Sequence, residues 1–375
     1  LDGNGHTVNM DLSGYGIRAY RADITIKNVI IKGSAKSAIL TIGDRGIVDG
    51  KMVEYLVYPV LENVTVDMDE VVYSPVYFNG MGVATLTNCT FTGAGFPTDD
   101  YREDSHVFAG AEMKVIVDGG NVGTVFINAN NNSPESTFAS GITVNSGTVE
   151  KLILESDWLD DKTGSATYTN NGGTVNEVVK AVDTGAEMAS AIKEGYSVAL
   201  HKDISYDGVI SPASGTSFNI YGYNYTVNAS IYTVGGGNFV FNDMIWGGAA
   251  SYAFYNQGGN VTMNNVTVEK DGDYVLLLYG GGVVELNDCK VTGTATSKTS
   301  IWFGDGRTVT INGGTYSSMI INASKGAGMV SAGTLTLNDA SVEKVRVGAV
   351  EDAGTITRAN VINNNSTVGE IEYEK

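Results

Sequence analysis

The run Phe96-Pro-Thr-Asp99-Asp100-Tyr101-Arg102-Glu103-Asp104-Ser105-His106 gathers the side chains best suited to chemistry. Asp99, Asp100, Glu103 and Asp104 place four carboxylates within six residues, a supply of hard oxygen ligands of the kind Ca²⁺ takes. With Tyr101, Arg102 and His106 the stretch also reads as a small ligand-binding or catalytic loop, and a merely solvated acidic loop is the competing reading. Trp158-Leu-Asp160-Asp161-Lys162 is a weaker loop of the same sort. A second candidate surface is aromatic. Tyr221, Tyr223 and Tyr225 alternate, so in a strand all three would point to one side. Tyr252, Tyr255, Tyr274, Tyr279 and Trp302 follow in the same half, while Tyr55, Tyr58, Tyr73 and Tyr77 lie in the first. Rings with an apolar body and a polar tip suit sugar or protein contact, although stacking along the fold would use them equally well. No pair of opposed carboxylates of the glycosidase kind can be picked out, so no catalytic residue is assigned.

Composition and repetition dictate what must position these groups. The 375 residues include 48 Gly, 5 Pro and 17% charged residues, which points to short apolar strands joined by Gly, Asn and Asp turns. A formal net charge of −19 argues against nucleic acid or an anionic membrane as partner, because a phosphate surface selects clustered Lys and Arg. No window approaches the ~18 apolar residues of a membrane span. The chain opens at Leu1 inside a strand-like stretch with no signal peptide, so a targeting segment is expected upstream. Two cysteines are too few for a disulfide framework and are expected to be buried free thiols.

One strip of sequence occurs twice, about 193 residues apart. Val83–Gly93 (VATLTNCTFTG) pairs with Val283–Gly293 (VVELNDCKVTG), and Val115–Gly120 (VIVDGG) with Val309–Gly314 (VTINGG). Inside each copy a shorter unit recurs: alternating strand, polar turn residue, small apolar residue. Its turn positions are Asn63, Asn88, Gly119, Ser146 and Asn171 in the first copy, and Asp243, Asn265, Asp288, Gly313 and Asp339 in the second. A unit of roughly 25 residues with two or three strands cannot bury its own apolar face and must stack on its neighbours. The expected fold is therefore all-β, a right-handed parallel β-helix in two tandem copies. Asn and Asp at the turns tolerate the left-handed conformation, and stacked copies of them are expected to form a ladder. That ladder also accounts for the Asn-x-Ser/Thr triplets at Asn63, Asn88, Asn224, Asn228, Asn260, Asn265 and Asn322.

One stretch departs from the pattern. Thr184 and Glu187 have capping-box spacing, Met188 and Ile192 share a helical face, and Gly195 is a natural stop. The spacing predicts a short α-helix over 184–194 that caps the second copy. The domains are then 1–180 and 181–375, the first lacking a counterpart of residues 183–219 and hence its own N-terminal cap.

With these residues in view, the chain resembles the pectate-lyase-like right-handed β-helix superfamily. It is most similar to tandem β-helix regions of bacterial surface proteins, where a helix like "DTGAEMASAIKEG" and a strand like "SVALHKDI" precede each solenoid. The superfamily's hydrolases imply clustered Asp with a Gly-His-Gly turn, yet His6, His106 and His201 all lie outside such a motif. The carboxylate set of its Ca²⁺-dependent lyases is not legible either. The resemblance therefore implies a non-catalytic, secreted or cell-surface bacterial repeat. It would be monomeric, presenting a surface for glycans or host proteins or acting as a stalk. A polysaccharide lyase or glycoside hydrolase is the first alternative and a trimeric phage or virion fibre the second.

Overall fold

Short apolar strands with a left-handed residue at each bend can satisfy their backbone only by stacking, and the chain does so as a parallel β-solenoid. The structure is a computed structural model that describes residues 1–110, 112–128, 140–155, 166–247, 252–269, 274–292, 300–326 and 329–374. It divides into two compact units, Leu1–Val182 and Asp183–Lys375.

In the first unit Thr7–Asp11, Thr25–Ala35, Val60–Val71, Gly82–Gly93, Met113–Asn121 and Gly141–Glu155 pair in parallel, each with the next coil. A second run, Ile17–Tyr20, Ile39–Ile42, Val76–Asn79, Val107–Ala109 and Thr124–Ile127, is parallel as well. Alternation sends one side of each strand inward. The register therefore stacks like on like: Ile26, Leu61, Leu86 and Val117 are successive partners, and all are fully buried. The hairpin Asp44–Val48 with Lys51–Tyr55 is an antiparallel excursion from this stack.

The second unit repeats the arrangement. Phe218–Tyr221, Asn238–Asn242, Asn260–Asn264, Val283–Asn287, Thr308–Asn312, Thr334–Asn338 and Asn360–Asn364 form one parallel run. Its inward column is Ile220, Phe241, Met263, Leu286, Ile311 and Leu337, each wholly buried. Among the described residues the one α-helix is Gly185–Lys193. Thr184 accepts from the Glu187 N–H at 3.2 Å while Glu187 Oε2 accepts from the Thr184 N–H at 3.1 Å, completing the capping box. Its buried face, Met188, Ala189, Ala191 and Ile192, packs on Ser197–Leu200 and Ile204–Ile210.

The turn residues behave as their chemistry requires. Asn28, Asn63, Asn88, Asp243, Asn265, Asp288 and Asp339 all have φ between 49° and 52°, the left-handed region that Asn and Asp tolerate best after Gly. The ladder runs at two neighbouring positions. At one, the turn residues themselves are linked, Asn63 Nδ2 donating to Asn28 Oδ1 at 3.1 Å in the first unit and Asn265 Nδ2 to Asp243 Oδ1 at 2.9 Å in the second. At the other, one residue earlier, a longer line in the second unit starts from Asn242, and Asn264, Asn287, Asn312, Asn338 and Asn364 donate each to the one before at 2.7–2.8 Å. Ser146 and Asn171 do not adopt the expected left-handed geometry. A shift of register between Val117 and Asp118 accompanies its move onto Gly147, and beside Asn171 the positive φ is at Gly172.

The repeated Gly-Gly pairs are also explained. A Cβ on Gly120 would fall 1.9 Å from the Cys89 carbonyl oxygen, and one on Gly314 2.2 Å from that of Cys289. Each sits at φ +82°, so only Gly lets that coil close on the one below.

Candidate functional site

The 96–106 loop lengthens one coil of the first unit and folds back upon itself. Asp104 N–H donates to the Phe96 carbonyl at 3.1 Å, Phe96 N–H to that of Ser105 at 3.1 Å, and Glu103 N–H to that of Asp100 at 2.9 Å. The Ser105 hydroxyl donates to the Arg102 carbonyl at 2.8 Å and lies 3.1 Å from the Ser74 hydroxyl in the interior. The loop lies against the outward side of the strand run Val76–Asn79, Val107–Ala109 and Thr124–Ile127, where Tyr77, Phe108 and Phe126 are successive partners. Three aromatic residues in a column on an outer face need cover, and the loop supplies it.

Tyr101 provides that cover rather than a ligand contact. It is 4% exposed, its ring lies 5.8 Å from that of Phe126, and its hydroxyl donates to Glu155 Oε1 at 2.5 Å. His106 is half-buried, its Nδ1 accepting the Thr124 N–H at 3.2 Å. Burial holds its imidazole below the ordinary value, so it is neutral at pH 7. The four carboxylates do not assemble into a donor set. Asp99, Glu103 and Asp104 are exposed, whereas Asp100 is paired with Arg102. Among the described residues no three His, Cys, Asp or Glu side chains are grouped to hold a metal ion. Trp158, Asp160 and Asp161 lie outside the described residues.

What the loop leaves open is a cleft of ≈ 120 Å³ lined by Tyr73, Ser74, Tyr77, Phe96, Arg102 and Phe108. The rings of Tyr73 and Tyr77 are 6.2 Å apart, Tyr73 and Phe96 6.3 Å, and Tyr77 meets Phe108 edge-on at 4.5 Å. Tyr73 is 38% exposed. The Arg102 guanidinium stands 5.5 Å over the Phe96 ring, a cation–π contact that holds it at the wall. Its Nε donates to both oxygens of Asp100 at 3.0 and 3.1 Å, and Nη2 donates to Oδ2. Burial pushes the Asp100 carboxyl up, but the bonds from Arg102 outweigh it and leave the group below the ordinary carboxylate value. Burial is also the main cause that raises the Tyr77 phenol.

Comparison with protein-family models, with curated proteins and with solved structures returned no match. The chemistry of the site therefore stands on its own geometry.

The second unit carries aromatics differently. Tyr232, Tyr255, Tyr279 and Trp302 form a half-buried line across successive coils, with ring centres 5.0, 5.7 and 6.0 Å apart. Tyr221, Tyr223 and Tyr225 do not share one side of a strand. The strand ends at Tyr221, and Tyr223 and Asn224 adopt φ 49° and 66°, so the chain turns where alternation would have continued. Sequence reasoning also missed Arg307, which is 1% exposed. Its guanidinium donates to the carbonyls of Tyr279 at 3.1 Å and Gly259 at 3.2 Å and to Asn256 Oδ1. Asn256 in turn donates to the Thr233 hydroxyl at 2.9 Å. Burial lowers Arg307 to about 10, opposed by Asp305. The group is a buried brace between coils and not a ligand contact.

Proposed function

We propose that this chain is a non-catalytic binding region of a bacterial surface protein, built on the pectate-lyase-like right-handed β-helix. In this reading it works outside the cell as a monomer and presents an adhesive surface for glycans, or for proteins of another cell. The observation that carries the reading is the cleft of Tyr73, Tyr77, Phe96 and Phe108 walled by Arg102. Aromatic faces stack on the C–H face of a sugar while a nearby fork of N–H donors orients its hydroxyls. Tyr77 and Phe108 project from stacked strands, and Tyr73 and Phe96 pack against them or each other, so little is lost in ordering the rings on binding. The acidic loop that completes the cleft has no acidic counterpart in the second copy, in keeping with a repeated scaffold whose loops carry specificity.

A panel of neutral and acidic polysaccharides, offered with and without chelator and scored for both binding and chain cleavage, tests the reading. Binding without cleavage, abolished by Tyr77→Ala and indifferent to chelator, is the expected result. Cleavage would make the chain a polysaccharide lyase or glycoside hydrolase instead. A stable trimer in sedimentation with neither property would favour a fibre segment.

A further inference from the structure

We infer that the cleft takes an uncharged sugar ring in preference to an acidic one. This rests on the glycan-binding reading above and concerns which class of sugar the same site accepts. Arg102 is the one charged residue among those lining the cleft. A single guanidinium among aromatic rings would ordinarily select a carboxylate or sulfate, which its fork matches in two parallel bonds. In this protein the fork is already occupied. Nε and Nη2 both engage Asp100, and Asp100 Oδ1 is further held by the Arg102 backbone N–H at 2.9 Å. The competing carboxylate is thus tethered two residues away at high effective concentration, and a ligand carboxylate would have to displace it.

The surroundings add to this bias. Asp99, Glu103 and Asp104 of the same loop are exposed, and the whole chain carries −19, so an acidic sugar approaches a field of its own sign. An uncharged ring meets none of these costs. Its C–H face can lie on Tyr73 and Phe96, and its hydroxyls can accept from Arg102 Nη1, which makes no hydrogen bond among the described residues. The Arg102 and Asp100 side chains remain 28% and 31% exposed, so the pair can be reached from solvent. At ≈ 120 Å³ the cleft is smaller than the roughly 300–1,000 Å³ of drug-sized sites, which suits one ring and not a chain segment.

The test uses the full chain and NMR titration at pH 7 with methyl glucoside and methyl galactoside against the corresponding methyl uronides. The neutral glycosides are expected to bind at least tenfold more tightly, with an affinity unchanged between about 50 and about 500 mM salt, and to lose binding in Tyr77→Ala. Asp100→Asn releases the Arg102 charge and is expected to raise uronide affinity at least tenfold. Uronides that bind the native cleft as tightly as neutral glycosides overturn the inference and leave the glycan reading intact. The inference fails in the same way if Asp100→Asn keeps neutral binding but gains nothing for uronides. Should Asp100→Asn lose its fold, the comparison on the native protein decides alone. Binding of neither class overturns both the inference and the reading it rests on.

Discussion

At the scale of single residues, the two cysteines show how closely the copies agree. Cys89 Sγ donates to the carbonyls of Leu61 at 3.4 Å and Thr87 at 3.5 Å, and Cys289 Sγ to those of Met263 at 3.3 Å and Asn287 at 3.4 Å. Both are free and buried, and burial pushes each thiol from its ordinary 9.0 up to about 11. A thiol raised in the folded state holds its proton there after the unfolded chain has lost it. The stability it contributes is therefore full below pH 9.0 and is lost as pH rises from 9.0 to about 11. Thermal melts across that range should show the midpoint falling, and the double variant Cys89→Ala, Cys289→Ala should flatten the decline. Native labelling by a thiol reagent should be slow at both sites, and rapid modification of either would contradict their burial. Arg307 makes a second residue-level case. Arg307→Met leaves the buried Asn256 amide oxygen and the Gly259 carbonyl without this donor, while the Tyr279 carbonyl keeps the Gly258 N–H at 3.0 Å. Urea unfolding should show a loss of about 3 kcal/mol, since each buried acceptor left unpaired costs about 1–3 kcal/mol.

At the scale of elements, the Asn ladder of the second unit offers a graded test. Asn287 both donates to Asn264 and accepts from Asn312, whereas Asn364 makes one link at the end of the run and is exposed. Asn287→Ala should cost about 1–3 kcal/mol and Asn364→Ala well under about 1 kcal/mol by denaturant titration; equal effects would mean that the ladder contributes little. Much of this fold could be read from the sequence. Strand alternation and the recurring Asn or Asp gave the stacked coils, and Thr184 with Glu187 gave the helix. Other features depend on register between coils, which alternation within a coil does not reveal. The second line of Asn side chains, one residue before the turn, is such a feature, as is the meeting of Tyr77 with Phe108. The cleft was legible only in part: Arg102 and its loop stood out, but Tyr73, Tyr77, Phe96 and Phe108 come from separate strands and loops. Tyr223 failed as a strand residue because two consecutive left-handed residues turn the chain there.

At the scale of the molecule, a solenoid is held by nearest-neighbour contacts, so its stability is expected to vary along the stack. The residues of Thr367–Tyr373 are almost all exposed, while those of Thr308–Asn312 alternate with fully buried Val309 and Ile311. Hydrogen exchange should therefore release the amides of Thr367–Tyr373 many-fold faster than those of Thr308–Asn312. Uniform protection through the second unit would instead indicate that it opens only as a whole.

The ladder also bears on how the protein ages. An Asn followed by Gly is the sequence most prone to spontaneous loss of its side-chain amide, because the next backbone nitrogen can attack it. Asn312-Gly313 has that sequence, yet Asn312 is held on both sides by Asn287 and Asn338, and the Gly313 N–H is committed to the Asn338 carbonyl at 2.8 Å. Asn4-Gly5 has the same sequence in an exposed turn, where the Gly5 N–H is bonded to the Asn28 carbonyl at 2.7 Å but no Asn neighbour holds the Asn4 side chain among the described residues. On storage, peptide mapping should find isoaspartate at Asn4 long before Asn312, so the folded coil acts as a chemical preservative for the asparagines from which it is built.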